Sequence, residues 1–195
     1  MAIDAQPMAE RQGDLGQLYL AVIQRYKDYI EEQESLSVAE LPTLVTPNNE
    51  KVAAKAKEVM DDFDHYTYEG SFYDASVEAL EFVRDKIADA TLPLQFWLSP
   101  ADTLTFGMGD IVDKCVLLCS LLIKLGNPSA KVLMSIRDST RNVLVYYEYS
   151  GKLYLLDMKD GIRELPGKDA MLKALGIDEN STAYEFNDKM YVDIV

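Results

Sequence analysis

The feature that most constrains this chain is a segment from residue 111 to 125 that is apolar on almost every side. A helix without a polar face has no side that prefers water, so it is buried inside a domain. Its most apolar part, residues 115–123, is far shorter than the roughly 18 residues that indicate a membrane span. Gly126 and Pro128 end the helix. The sequence therefore predicts a soluble domain built around one buried helix.

The apolar periodicity divides the chain into a helical first part and a β-rich second part. Steps of three and four residues predict three helices before residue 90. We expect Thr46 to cap the second helix and Pro47 to be its first residue. The first helix is long and amphipathic, and its stripe is formed by Leu15, Leu18, Tyr19, Val22, Ile23, Tyr26 and Ile30.

Downstream, the period shortens to about two, which is typical of strands. Strands are predicted at residues 131–137, 142–149 and 152–157, with a turn at Ser150-Gly151 and a last hairpin at 184–194. Helices followed by strands favour an α+β fold, in which the helices and the buried central helix pack on a C-terminal antiparallel sheet. We expect residues 1–70 to form a helical extension packed on a core at 71–195.

Charge and cysteine content exclude several classes of protein. The chain of 195 residues has 19 basic and 33 acidic side chains, so its net charge is −14. This field repels phosphate backbones and anionic lipid, and we expect neither a nucleic acid nor a membrane partner. The N-terminus lacks the basic and apolar segments of a signal peptide. With two cysteines and no disulfide framework, a reducing, cytoplasmic location is predicted.

Two carboxylates mark the start of the buried helix. Asp110 precedes it and Asp113 lies in its first turn, where carboxylates accept hydrogen bonds from free N–H groups. Helix capping is the simpler interpretation. The functional interpretation is that a nucleophile lies at this helix start, because the helix dipole lowers the pKa of a thiol and stabilises an oxyanion.

Residues 75–165 resemble the transglutaminase-like superfamily, which are cysteine enzymes of papain-like architecture. The family core reads roughly P-x-x-T-L, then G-D-C-x-D-x-A, then L-L-x-x-L-L-x-x-L-G. In this chain the matching run is SPADTLTFGMGDIVDKCVLLCSLLIKLG. The family then has a His at the start of a strand, a hairpin glycine and an Asp, and NVLVYYEYSGKLYLLDM supplies Gly151 and Asp157 for the last two. The resemblance implies a transglutaminase-like, papain-like core.

The chain departs from the family at two of the three catalytic positions. The cysteine position is Ile111 and the histidine position is Asn142, and only Asp157 matches the triad. A hydrocarbon and a carboxamide supply neither the nucleophile nor the base of a Cys-His-Asp site. The resemblance therefore implies a catalytically inactive protein that binds a peptide or protein in the former cleft. Trp97, Asp110 and Asp113 are the binding residues that we expect there.

Other interpretations stay open. Cys115, one helical turn after Ile111, is either a buried packing thiol or the displaced nucleophile of an active cysteine hydrolase or acyl transferase. His65, the single histidine, lies upstream of the matched core and is expected to be partly exposed. We expect no metal and no cofactor, since the two cysteines lack two further ligands. In a third interpretation, the first helix packs on a second copy; the sequence leaves the oligomeric state undetermined.

Overall fold

The structure is a computed structural model, and it describes residues 8–34, 40–90, 97–137 and 140–195. The chain forms two compact units. One contains residues 1–35 and 91–96, and the other contains residues 36–90 and 97–195. No helix in the described ranges has the length and apolar character needed to cross a membrane.

The first unit contains two helices, α1 (Met8–Arg25) and α2 (Lys27–Glu34). The amide of Tyr26, between them, donates to the carbonyls of Val22 and Ile23, and the amide of Ile30 donates to Tyr26. The predicted long helix is therefore present, with a break at one residue. Its apolar stripe does not form a buried face, because Leu18, Tyr19, Val22 and Tyr26 are all exposed.

The second unit contains the remaining helices. Their N-caps explain where several of them begin: the Asn49 side chain accepts from the Lys51 amide, and the Thr67 hydroxyl accepts from the Gly70 amide. The predicted start at Thr46 and Pro47 is therefore wrong, since Asn49 is the cap. These helices are α3 (Leu41–Leu44), α4 (Glu50–Asp61), α5 (Tyr68–Lys86), α6 (Pro100–Phe106), α7 (Ile111–Lys124) and α8 (Lys168–Ala174).

The second unit also contains the strands β3 (Lys131–Arg137), β4 (Thr140–Tyr149), β5 (Lys152–Asp157), β6 (Gly161–Leu165), β7 (Thr182–Phe186) and β8 (Tyr191–Asp193). They form a six-stranded antiparallel sheet with the order β6-β5-β4-β3-β7-β8. The hairpin predicted at Gly151 joins β4 to β5, and the last predicted hairpin is β7–β8. Two short parallel strands, β1 (Ala88–Asp89) and β2 (Met108–Gly109), lie outside this sheet.

Helix α7 is the centre of the second unit, as its sequence predicts. Its residues from Val112 to Leu122 are all buried, and it packs against α4, α5, α6, β3 and β4. The sheet has a hydrophobic core on each face. The main core contains α7 together with Val143, Val145 and Tyr147 of β4, whereas Leu144 and Tyr146 belong to the smaller core with Met171 of α8.

The boundary expected at residue 70 falls inside the second unit. Val52, Ala56 and Val59 of α4 are buried in the main core, so the helix that precedes this boundary packs as part of the core. The mixed α+β class is confirmed: helices precede an antiparallel sheet and pack on it around a buried central helix.

Candidate functional site

The start of α7 is fixed by a reciprocal capping arrangement. The carboxylate of Asp110 accepts hydrogen bonds from the amides of Val112 (2.7 Å) and Asp113 (2.9 Å). The carboxylate of Asp113 in turn accepts from the Asp110 amide at 2.9 Å. The amides of Val112 and Asp113 lie in the first turn of the helix, where no backbone carbonyl is available to them, so the Asp110 carboxylate supplies the partner that they would otherwise lack. Capping, the simpler interpretation of these carboxylates, is therefore what both side chains do.

Asp113 also connects the helix start to the segment that carries Trp97. Its second oxygen accepts from the Leu98 amide at 2.8 Å, and the side chain is 1% exposed. Burial raises the pKa of Asp113 to about 6, although its two backbone donors oppose that shift. Trp97 is partly buried and packs against the main core. Asp113 therefore joins Asp110 to the residue that follows Trp97 in the sequence.

Residue 111, which the sequence analysis predicted at the nucleophile position, lies at the surface. Ile111, the first residue of α7, is 37% exposed. Phe106 and Met108, a few residues earlier, are also exposed. Three apolar side chains are therefore exposed within six residues of the sequence around the start of α7.

The side chain of Asn142 lies on the face of the sheet that is opposite to α7. Side chains alternate between the faces of a strand, and Val143 lies on the α7 face of β4, whereas Leu144 lies on the α8 face. Asn142 therefore shares the α8 face, while Arg141 shares the α7 face. The Arg141 guanidinium is 3.9 Å from the Asp110 carboxylate. Arg141 of β4 thus pairs with Asp110 at the helix start, and the sequence interpretation missed it.

Asp157 lies at the end of β5 and caps a turn. Its carboxylate accepts from the amides of Lys159 (2.7 Å) and Asp160 (3.4 Å). Its negative charge contributes to the raised pKa of Cys115. The structure therefore places Asp157 near enough to the helix to affect Cys115, but with a structural role in its own turn.

Both thiols are buried inside α7. Cys115 is 1% exposed and its Sγ is 3.6 Å from the carbonyl oxygen of Val143. Burial raises the pKa of the Cys115 thiol far above its usual range, and the carboxylates of Asp157 and Asp110 raise it further. Lys114 opposes this shift, but its ammonium is bound to Asp89 at 2.6 Å. Burial has the same effect on the pKa of Cys119.

Other candidate groups lie elsewhere. His65 is exposed just after α4. In the parts of the chain that the structure describes, no three His, Cys, Asp or Glu side chains are grouped so that they could hold a metal ion. A groove of about 390 Å³ lies between α4, α5 and α6, away from the helix start; it is lined by Lys51, Ala54, Lys55, Glu58, Phe82, Leu104 and Thr105.

The α8 face of the sheet has a polar cluster that the sequence did not indicate. Glu185 is 2% exposed, and its carboxylate binds the ammonium groups of Lys131 (2.8 Å) and Lys168 (2.7 Å) and the hydroxyl of Tyr146 (2.5 Å). Burial alone would raise the pKa of Glu185, but these three donors outweigh it and the pKa is lowered. The alternating strand pattern cannot reveal such a cluster, because its members come from four separate elements.

Solved structures with the same fold were found. The chain matches Legionella pneumophila LapG with a TM-score of 0.52 and 13% identity, over 82% of this chain and 88% of that one. A calcium-bound form of LapG matches with a TM-score of 0.51 and 14% identity over the same shares. A candidate cysteine protease from Cytophaga hutchinsonii has a TM-score of 0.48 and 13% identity, over 83% and 57%. No family model and no curated protein matches the chain. The chain therefore has the fold of LapG.

Proposed function

We propose that this chain is a non-catalytic protein related to transglutaminase-like cysteine enzymes, and that it binds a peptide or protein segment beside the start of α7. The observation that carries the proposal is the side chain at residue 111. The first position of α7, where a thiol would gain most from the helix dipole, has an exposed hydrocarbon instead.

The burial of both thiols in the described part of the chain supports the non-catalytic half of the proposal. Cysteine enzymes need an ionised thiol and a base within hydrogen-bond reach of it. Cys115 is buried with a raised pKa, and the β4 residue that pairs with Asp110 at the helix start is Arg141. A guanidinium is always charged and has no acceptor, so it cannot remove a proton.

The surface at the helix start supports the binding half. Phe106, Met108 and Ile111 are exposed within six residues of the sequence, and Asp110 in the same segment pairs with Arg141. Exposed apolar groups with a polar rim are typical of interaction sites. A peptide with an apolar side chain and free backbone acceptors has the chemistry that this surface recognises.

Thiol labelling separates the proposal from the alternative of an active enzyme with a nucleophile at Cys115. We expect iodoacetamide at neutral pH to label the native thiols at least about 10³-fold more slowly than the urea-unfolded chain. Labelling of a buried thiol requires opening, which costs about 5 kcal/mol or more. Native labelling within minutes, together with peptide hydrolysis that Cys115→Ser abolishes, would establish the enzyme and overturn the proposal.

Binding is tested with a pool of fluorescein-labelled random octapeptides and fluorescence anisotropy. Ile111→Glu introduces a charge into the apolar surface, and we expect it to weaken binding at least about tenfold. Met190→Glu is the matched control, since Met190 has the same 37% exposure at the β7–β8 turn. Equal binding by both variants, or no binding by the unaltered chain, contradicts a peptide site at the helix start.

The compartment remains part of the proposal. Both cysteines are free thiols, which agrees with the expected cytoplasmic location. Fractionation of cells that express the tagged chain measures this directly.

A further inference from the structure

Arg141 places a guanidinium beside the start of α7 that its own chain does not fully use. The side chain is 43% exposed and lies 3.9 Å from Oδ2 of Asp110, which exceeds the roughly 2.7–2.9 Å of a charge-assisted hydrogen bond. The other oxygen of Asp110 accepts from the amides of Val112 and Asp113. Among the described residues, Asp110 has the only carboxylate within 4.0 Å of Arg141. The N–H donors of the guanidinium are therefore available to a ligand.

The surface of the sheet around Arg141 is apolar and aromatic. Ile136 of β3 is the cross-strand partner of Arg141, and such partners share a face of the sheet. Ile136 is 39% exposed, so this end of the α7 face is accessible to solvent. Tyr184 of β7 also packs against the main core. Burial raises the pKa of Tyr184 and the charge of Arg141 opposes that shift, so these two side chains lie close together.

We propose that the segment bound beside the start of α7 has an acidic side chain, Asp or Glu, next to an apolar one, and that Arg141 binds its carboxylate. This inference rests on the proposed function and adds the chemical class of the ligand. A planar guanidinium donates two parallel hydrogen bonds to a carboxylate, a geometry that no other side chain offers. The exposed hydrocarbons of Ile111 and Ile136 contact the apolar part of the ligand.

The apolar groups on either side of Arg141 favour an internal acidic residue over the end of a peptide chain. Ile111 directly follows Asp110, the ion-pair partner of Arg141. Ile136 lies opposite Arg141 on the neighbouring strand. A ligand that covers both hydrocarbons continues past the guanidinium in both directions. A C-terminal carboxylate would end the ligand at Arg141 and leave one of the two uncovered.

The acidic character of the chain limits how much negative charge the ligand has. The net charge is −14, but exposed charges more than about 8 Å apart are largely screened at physiological ionic strength. A carboxylate that is hydrogen-bonded to Arg141 is about 3 Å from it, so the local attraction exceeds the screened repulsion. Asp110 also lies close, but the two amides that it accepts from and the helix dipole offset its charge. We therefore expect a ligand with one acidic residue rather than a run of them.

Two octapeptide pools that differ at one position test the inference by fluorescence anisotropy with the full chain. Both have a neutral dye, an amidated C-terminus, a fixed central Leu and uncharged residues at the variable positions. The residue after Leu is Glu in one pool and Gln in the other. We expect the Glu pool to bind about tenfold more tightly and Arg141→Gln to bind both pools equally. The matched control is Arg163→Gln, an exposed arginine on β6, which should retain the preference.

The outcomes separate this inference from the proposed function. Equal binding of the two pools by the unaltered chain, or a preference that Arg141→Gln retains, overturns the inference and leaves peptide binding intact. If neither pool binds, the proposed function fails and the inference fails with it. Arg141→Lys has the charge without the planar donor pair, so it should keep only part of the preference. This second variant keeps the test decisive if the melting temperature shows that Arg141→Gln is unstable.

Discussion

The buried carboxylate of Glu185 allows a quantitative prediction from the structure. Glu185 lies on β7 opposite Leu133 of β3, and its carboxylate joins Lys131, Tyr146 and Lys168. The cluster therefore links β3, β4 and β7 to the first residue of α8. We expect Glu185→Gln to destabilise the second unit, because the amide has one acceptor oxygen where the carboxylate has two.

The magnitude follows from the burial of the partners. Removing one member of a buried ion pair costs about 3–5 kcal/mol, since the remaining charge loses its partner. The side chains of Lys131 and Lys168 are 20% and 38% exposed, so both ammonium groups regain some water. Tyr146 is 2% exposed and its hydroxyl loses its acceptor. We therefore expect the low end, about 3 kcal/mol, which lowers the melting temperature by roughly 6–12 °C in a chain of this length.

The pH dependence gives the prediction its sharpest test. The three donors hold the folded-state pKa of Glu185 below the unfolded value, despite burial, so its stabilising contribution is present above about pH 4.3. It is lost as the pH falls through the lower, folded-state pKa. The difference in melting temperature between Glu185→Gln and the unaltered chain should be constant from pH 5 to 8 and shrink below about pH 4.

Circular dichroism and Trp97 fluorescence both follow the transition. Exposed Glu179 supplies the matched control, Glu179→Gln, which removes the same charge without a buried partner. We expect this control to stay within about 0.5 kcal/mol of the unaltered chain. A shift below about 2 °C for Glu185→Gln, or one that persists unchanged at pH 3, would refute the reasoning.

Three further predictions, made with five substitutions, can be tested by chemical denaturation. Asp110→Ala should cost about 1 kcal/mol and Asp110→Asn almost nothing, because Asn caps as well as Asp; equal losses would exclude capping as the cause. Ser76→Ala should cost more than Tyr147→Phe, since only the first leaves the buried Tyr147 hydroxyl without its 2.7 Å partner; the reverse order contradicts this. Burial and a hydrogen bond with Asp62 raise the pKa of Glu78 to about 7, so stability should fall from about pH 4.5 to 7, and Glu78→Gln should remove that fall; an unchanged pH profile refutes it.

The elements that could be predicted from sequence are those whose apolar pattern reflects their burial. Helix α7 is buried along almost its whole length, and a helix without a polar face has no other stable location. Strands β3 and β5 begin and end where the predicted strands do. Gly151 has a positive φ of 75°, which explains why a glycine marks the β4–β5 turn.

The elements that could not be predicted have weak or misleading patterns. Strand β6 is an edge strand of five residues, two of them exposed, so it lacks a clear alternation. Helix α8 has only seven residues, about two turns, which is too short for a periodic signal. The apolar stripe of the first predicted helix has the opposite property: its pattern is strong, but periodicity shows only that an apolar face exists and not what covers it.

The candidate site shows how one residue of offset changes a functional interpretation. The sequence analysis predicted Asn142 at the position of the catalytic histidine by counting residues back from Gly151. That count takes no account of which face of the sheet each side chain lies on. A strand of period two moves every side chain to the opposite face when it slips by one residue. The buried run Val143, Val145 and Tyr147 already fixes which residues face α7, and by that rule Arg141 precedes them on the same face. If the alternation of side chains within the strand is considered before the spacing between motifs, it identifies Arg141 as the residue beside Asp110.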